Sequence, residues 1–301
     1  MDIHLTRRQL IGTGATAAGL LLLPAAPAEA EALADGWRNR LRRLEKSYRG
    51  RIGAVAIDTA NGATVGYRAG ERFPLLSTFK ALAAGAVLHH ARTRRPGLLN
   101  KRVRWTEADL VEHSPITSKH LDDGLTIAEL CHAAITESDN TAANLMLKHI
   151  GGPAGFTRFL RGIGDRVTRL DRWETDLNVW TPGTRRDTTT PAAVARSLRA
   201  LTVGKALHPA DRTRLIGWMR QTETGAKRIR AGLPAAWKVG DKTGSYPKYA
   251  CANDIAIAHP PSAPPLIIAV YTHRNAEDAA TDESIIARTA TILVRALGKK
   301  I

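Results

Sequence analysis

Apolar positions fall into two textures along the chain. Trp37, Leu41, Leu44 and Tyr48 recur at helical spacing with charges between them, predicting an amphipathic helix over residues 35–49. Residues 51–58 are rich in Val and Ile and alternate, as a strand should. Ala60-Asn61-Gly62 supplies a hairpin turn, and 63–67 returns as a second strand. From Leu75 to about Ala200 the strand pattern gives way to Ala, Leu and Arg. Helices are predicted at 77–92, 126–134, 140–149, 152–163 and 190–201. Thr126 stands three residues before Glu129, a capping box, and Pro191 suits a first helical turn. Strand texture resumes at 237–244, 249–259 and 266–272. A final helix follows over 278–297, with Ile285, Ile286, Leu293 and Leu297 on one side.

This order predicts an α+β fold: an antiparallel sheet of about five strands, built from both ends of the chain and flanked by the terminal helices. An all-α part is inserted, with the active site at the junction. Residues 31–70 and 220–301 would form the α/β part of one domain, and 71–219 the all-α part. Residues 169–189, RLDRWETDLNVWTPGTRRDTT, fit neither helix nor strand. Loops of that length are functional or disordered, and Trp173, Leu177 and Trp180 argue against disorder.

The first thirty residues read as an export leader. Arg7-Arg8 precedes an apolar run, Leu10 to Leu23, too short and too rich in Gly and Ala to span a bilayer comfortably. Ala28-Glu29-Ala30 fits a small-x-small cleavage site, and the paired arginines point to twin-arginine export. The expected location is therefore secreted or periplasmic, with no membrane attachment after cleavage.

Net charge is +16, and the leader contributes none of it, since Arg7 and Arg8 cancel Asp2 and Glu29. The basic residues are dispersed, without a basic tail or interleaved aromatics. That favours a solvated basic face over nucleic-acid binding. Cys131 and Cys251 read as two free core thiols rather than a bridge. The ten histidines show no metal-ligand spacing, so no metal is expected.

Three short stretches could carry chemistry. Ser77 and Lys80, in Phe73-Pro74-Leu75-Leu76-Ser77-Thr78-Phe79-Lys80, sit one helical turn apart near a helix start. Free N–H groups there suit a nucleophile whose attack creates an oxyanion, and an amine can help remove its proton. Alone, the pair fits an N-capping serine and a surface lysine better, since S-x-x-K also occurs by chance. Ser138-Asp139-Asn140 alone fits a helix cap. Lys242-Thr243-Gly244 alone fits a strand end.

Together and in this order, S-x-x-K, S-D-N and K-T-G are the set of class A β-lactamases and penicillin-binding proteins. Glu174-Thr175-Asp176-Leu177-Asn178 adds the E-x-x-L-N pattern of an Ω-loop, so the chain strongly resembles a class A serine β-lactamase along its whole mature length. The resemblance implies hydrolysis of the β-lactam amide of penicillins and cephalosporins, conferring resistance, by a monomer with no cofactor. Ser77 would be the nucleophile, with an oxyanion site at the N–H groups of Ser77 and Ser245. Lys80 and Glu174 compete for the role of acylation base. Ser138 would protonate the departing nitrogen, and Glu174 with Asn178 would hold the deacylating water. Asn140, Lys242, Thr243, Gly244, Ser245, Arg228 and His113 would line the substrate site. Arg172 and Asp187 would close the loop's neck, and a cis peptide would follow Glu174. Tyr246 is bulky where small residues are frequent. Leu76 and Tyr246 replace a cysteine pair of one carbapenem-hydrolysing subgroup, an argument against that activity. Two rivals share three motifs: a D-Ala-D-Ala carboxypeptidase or transpeptidase, and a non-hydrolysing β-lactam sensor. Neither needs E-x-x-L-N.

Overall fold

The computed structural model describes residues 27–301. Helix α1 (Pro27–Tyr48) leads into β1 (Gly50–Asp58) and β2 (Thr64–Tyr67), joined at the Asn61-Gly62 turn, where Gly62 has φ 78°. A short strand β3 (Phe73–Pro74) precedes the 3-10 turn Leu76–Thr78 and helix α2 (Phe79–Thr93). The pair β4 (Arg102–Val103) and β5 (Leu125–Thr126) frames a loop before α3 (Ile127–Thr136), α4 (Asn140–Lys148) and α5 (Gly152–Gly162). Next come β6 (Thr188–Thr189), α6 (Pro191–Thr202) and α7 (Pro209–Arg220). Strands β7 (Lys238–Tyr246), β8 (Cys251–His259) and β9 (Leu266–Arg274) and helix α8 (Ser284–Ala296) complete the chain.

The expected sheet is present: five antiparallel strands in the order β2-β1-β9-β8-β7. Both its faces are buried, and the period of two divides them. Ala54, Ala56, Ile268 and Val270 face the core shared with Leu41, Leu44, Ile286 and Leu293 of the terminal helices. Val55, Ile57, Ile267 and Tyr271 face the helical half. In that half α2 is the hub, buried at every residue from Phe79 to Leu88. Small residues make this possible: a Cβ on Gly85 would lie 2.9 Å from Leu201 Cδ1.

Three elements differ from expectation. Helix α7 was not foreseen. Its buried side is only Asp211, Leu215 and Met219, and its N-cap is His208 rather than Ser, Thr, Asp or Asn. Nor were strands expected inside the helical stretch, yet β3 pairs with β6 and β4 with β5. Two-residue ladders carry no periodicity. The predicted helix over 77–92 begins instead as a 3-10 turn. The leader reading falls on residues that, up to 26, lie outside the described residues. Among the described residues no helix is long and apolar enough to cross a membrane. Cys131 and Cys251 are free and buried, and burial pushes both thiols up to about 12.

Candidate active site

The site forms where the start of α2 meets α4, β7 and the 169–189 loop. Ser77 lies on the 3-10 turn after Leu76, which has φ 49°. That left-handed conformation costs a Leu on the order of 1 kcal/mol or more, and the buried surroundings must hold it. Strand β7 closes in from the side. A Cβ on Gly244 would stand 2.8 Å from Leu76 Cβ and 3.1 Å from Ser77 N, so only glycine lets the strand approach the serine's backbone.

Lys80 Nζ is the hub of the polar network. It donates to Ser138 O at 2.7 Å, to Asn140 Oδ1 at 2.5 Å and to Ser138 Oγ at 3.3 Å. Glu174 Oε1 lies 3.0 Å away, and both charged side chains are fully buried. None of these hydrogen bonds reaches Ser77 Oγ, although the spacing sets Ser77 and Lys80 one helical turn apart. An ammonium has three hydrogens, and a carboxylate, a carbonyl and an amide oxygen compete for them better than a hydroxyl. Burial holds the Lys80 amine below the ordinary lysine range, with Glu174 pulling the other way.

Lys242 is the second buried amine. It donates to Ser138 Oγ at 3.0 Å and to Thr243 O at 3.1 Å. Burial, and then Lys80, push it well below its usual range. Ser138, with φ 60°, thus faces two lysines at once. Asn140 accepts from Lys80 and donates through Nδ2 to Glu112 O at 2.7 Å, so its first duty is to the lysine.

Glu174 follows the pattern expected of the loop. The Glu174–Thr175 peptide is cis. Asn178 sits in the 3-10 turn Asp176–Asn178 and donates through Nδ2 to Glu174 Oε2 at 2.6 Å. Glu174 Oε1 meets only the Lys80 ammonium, and Asn178 Oδ1 is buried with no protein hydrogen-bond donor. Each of these oxygens keeps a lone pair for a further donor, such as a water molecule, which donates twice. Arg172 Nε meets Asp187 Oδ2 at 2.7 Å. Asp187 is buried and also accepts from the N–H groups of Asp171 and Arg172, more than the exposed bridge that spacing alone allows.

Along β7, Thr243 Oγ1 lies 2.6 Å from Thr224 Oγ1, and exposed Ser245 offers its Oγ to Arg228 Nη2 at 2.6 Å. Arg228 is buried. It also donates to Gly244 O and Asn253 O and pairs with Glu283 at 2.8 Å. His113 is exposed on the rim. Its ring lies 3.0 Å from Glu137 O, while its backbone carbonyl accepts from Asn140 N.

Three positioning residues support the site: Asn144 and Glu283, which were not singled out in the sequence, and Asp139, whose stretch reads there as fitting a helix cap. Asn144 bonds the Glu174 backbone at both ends, Nδ2 to O at 2.9 Å and Oδ1 from N at 3.0 Å. Its signal was available: it follows Asn140 by one helical turn. Asp139 caps α4 through Ala142 N at 2.8 Å and accepts from Ile116 N, Thr117 N and Thr117 Oγ1. Glu283, which orients Arg228, is remote in sequence and carried no signal. Asp139→Ala should destabilise the fold by about 3 kcal/mol, since it removes a cap and strands buried donors. Urea unfolding tests this, and a loss below about 1 kcal/mol would contradict the assigned role.

Comparison with known proteins agrees along the whole described chain. A family model described as the Beta-lactamase enzyme family matches residues 37–297. Beta-lactamase AST-1 of Nocardia asteroides is 50% identical over 86% of this chain and 83% of its own length. The carbapenem-hydrolyzing β-lactamase KPC of Klebsiella oxytoca is 46% identical, covering 91% of this chain and 94% of its own. Among solved structures, a β-lactamase from Streptosporangium roseum superposes with TM-score 0.87 at 61% identity, over 88% of this chain and 99% of that one. An ancestral class A β-lactamase gives 0.82 at 50%, over 86% and 99%. With that agreement in fold and sequence, the chain belongs to the β-lactamase enzyme family, in its class A branch.

Proposed function

We propose that this protein hydrolyses β-lactams through an acyl-enzyme on Ser77 and so confers resistance to them. Ser77 Oγ bonds to the lactam carbonyl carbon, and the C–N bond breaks. The N–H groups of Ser77 and Ser245 take the oxyanion charge. Ser138, between two lysines, passes a proton to the departing nitrogen. Burial weakens the hold of Lys80 on its proton and Glu174 lies 3.0 Å away, so Lys80 and Glu174 both qualify to take the first proton. Water then attacks the ester, and Glu174 accepts its proton.

The observation that carries this reading is the meeting of Glu174 and Asn178 with Lys80 inside the site. The lone pairs left on Glu174 Oε1 and Asn178 Oδ1 support a held water, which a serine that stays acylated does not need. Neither the peptidase nor the sensor reading has comparable support. Purified protein should turn over a chromogenic cephalosporin many times per serine, with no release of D-alanine from a D-Ala-D-Ala peptide. A single stoichiometric burst would overturn it. A carbapenem arm of the same assay tests the expectation drawn from Leu76 and Tyr246.

Lys242, Thr243, Ser245 and Arg228 together suit the substrate carboxylate, with Gly244 giving access and Asn140 and His113 at the acyl-side-chain end. Arg228→Gln should raise KM by about tenfold, since charge-assisted contacts are weakened, with a smaller change in kcat. Steady-state kinetics on a penicillin checks this; a fall in kcat alone would contradict a carboxylate-binding role.

We read residues 31–301 as one domain, with 71–219 as its helical part, acting as a monomer outside the cytoplasm after twin-arginine export. The Arg7-Arg8 run and the Ala28-Glu29-Ala30 site support export. No nucleic-acid partner enters this reading.

A further inference from the structure

Toward the end of α2 opposite Ser77 lies a cavity of about 700 Å³, between α2, α5 and the end of α4. That volume lies within the range of small-molecule sites. Its lining includes His89, His90, Arg94, His149 and Arg158, and no carboxylate. We propose that this cleft is a binding site for a small polyvalent oxyanion of the phosphate or polyphosphate class.

The cations converge without counter-charge. Nearby Arg92 and Lys148 are paired, with Asp211 and Asp109. Among the described residues Arg94 and Arg158 have no such partner. Arg158 also folds back over the start of its own helix: a Cβ on Gly151 would stand 3.2 Å from Arg158 Nη2, and one on Gly155 3.7 Å. A guanidinium at the positive end of a helix is repelled, not stabilised, unless an anion joins it. The histidines respond to the same field. His90 is held below its usual range by burial and then by Arg94, Arg95 and His89. His149 is lowered by burial and then by Lys101, Arg95, His90 and Lys148. His89 is fixed against Phe159, ring centroids 5.4 Å apart, with Nδ1 3.2 Å from Ala206 O, so the wall is rigid where it meets α5. Guanidinium groups match phosphate oxygens in geometry as well as charge.

Titration calorimetry with pyrophosphate and, separately, inorganic phosphate tests this at constant ionic strength. Pyrophosphate should bind saturably at one site. The double variant Arg94→Gln/Arg158→Gln should weaken it by roughly tenfold or more, from the loss of two charge-assisted contacts. The control Arg40→Gln/Arg288→Gln alters another basic groove, between α1 and α8, and should leave affinity unchanged. Inorganic phosphate binding as tightly as pyrophosphate assigns a single-phosphate ligand; tighter pyrophosphate assigns a polyphosphate. No saturable binding at millimolar pyrophosphate, or equal weakening by both double variants, would overturn the proposal. Unchanged β-lactam turnover in both variants shows that they are folded.

Discussion

Ser77→Ala will remove β-lactam turnover, lowering kcat by a factor on the order of 10⁴ or more. The size follows from what the substitution spares. Lys80, Ser138, Lys242 and Glu174 make their contacts with one another and not with Ser77 Oγ, so the variant should keep the network and the fold. Binding should survive while covalent chemistry disappears. Mass spectrometry after incubation with a penicillin should show no adduct, and thermal unfolding should stay within a few degrees of the parent. Turnover at a tenth of the parental rate would place the nucleophile elsewhere.

Glu174→Gln will separate the two halves of the reaction. Glutamine keeps the volume and can still meet Asn178, but it cannot accept a proton from water. Deacylation should slow by roughly 10² to 10⁴. The acyl adduct on Ser77 should then accumulate and persist on a mass spectrum, with a burst of one product per enzyme. The variant also takes the counter-charge from Lys80. Glu174 raises the lysine's proton affinity, so its removal lowers Lys80 further and enlarges the neutral fraction at pH 7. If Lys80 is the acylation base, the burst should be at least as fast as in the parent. If Glu174 is the base, the burst itself should slow. Normal deacylation would remove Glu174 from the mechanism.

Much of this site could be read before folding, because its residues come as short local strings whose chemistry constrains spacing. Ser77 and Lys80 share a helix face, Ser138 and Asn140 flank a cap, and Glu174 and Asn178 close one turn. The sheet was legible for a similar reason: nine-residue strands such as β8 and β9 are apolar runs rich in Ile and Ala, buried on both faces and long enough to be seen. What escaped depends on partners distant along the chain. Lys80 turns from Ser77 to Ser138 and Asn140, some sixty residues on, and no local pattern ranks those acceptors. Arg228 gains its orientation from Glu283, 55 residues later. Helix α7 buries so little apolar surface that its period is faint. The left-handed Leu76 is invisible because leucine rarely adopts that conformation, and its close neighbour Gly244 is brought in by the distant β7.

The way Glu174 is held has a consequence for heat. Acylation rests on α2, α4 and β7, all packed into the cores. Glu174 instead rides on a loop fastened by Asn144 at one end and the Arg172–Asp187 pair at the other. Leu170, Leu177 and Trp180 of that loop are buried, yet a binding-site loop without long helices or strands opens at lower free energy than the core elements. On warming, the loop should let go first, leaving a folded protein that still captures the drug once but no longer frees itself. In that interval each molecule neutralises a single antibiotic, and protection scales with the number of enzyme copies instead of their speed.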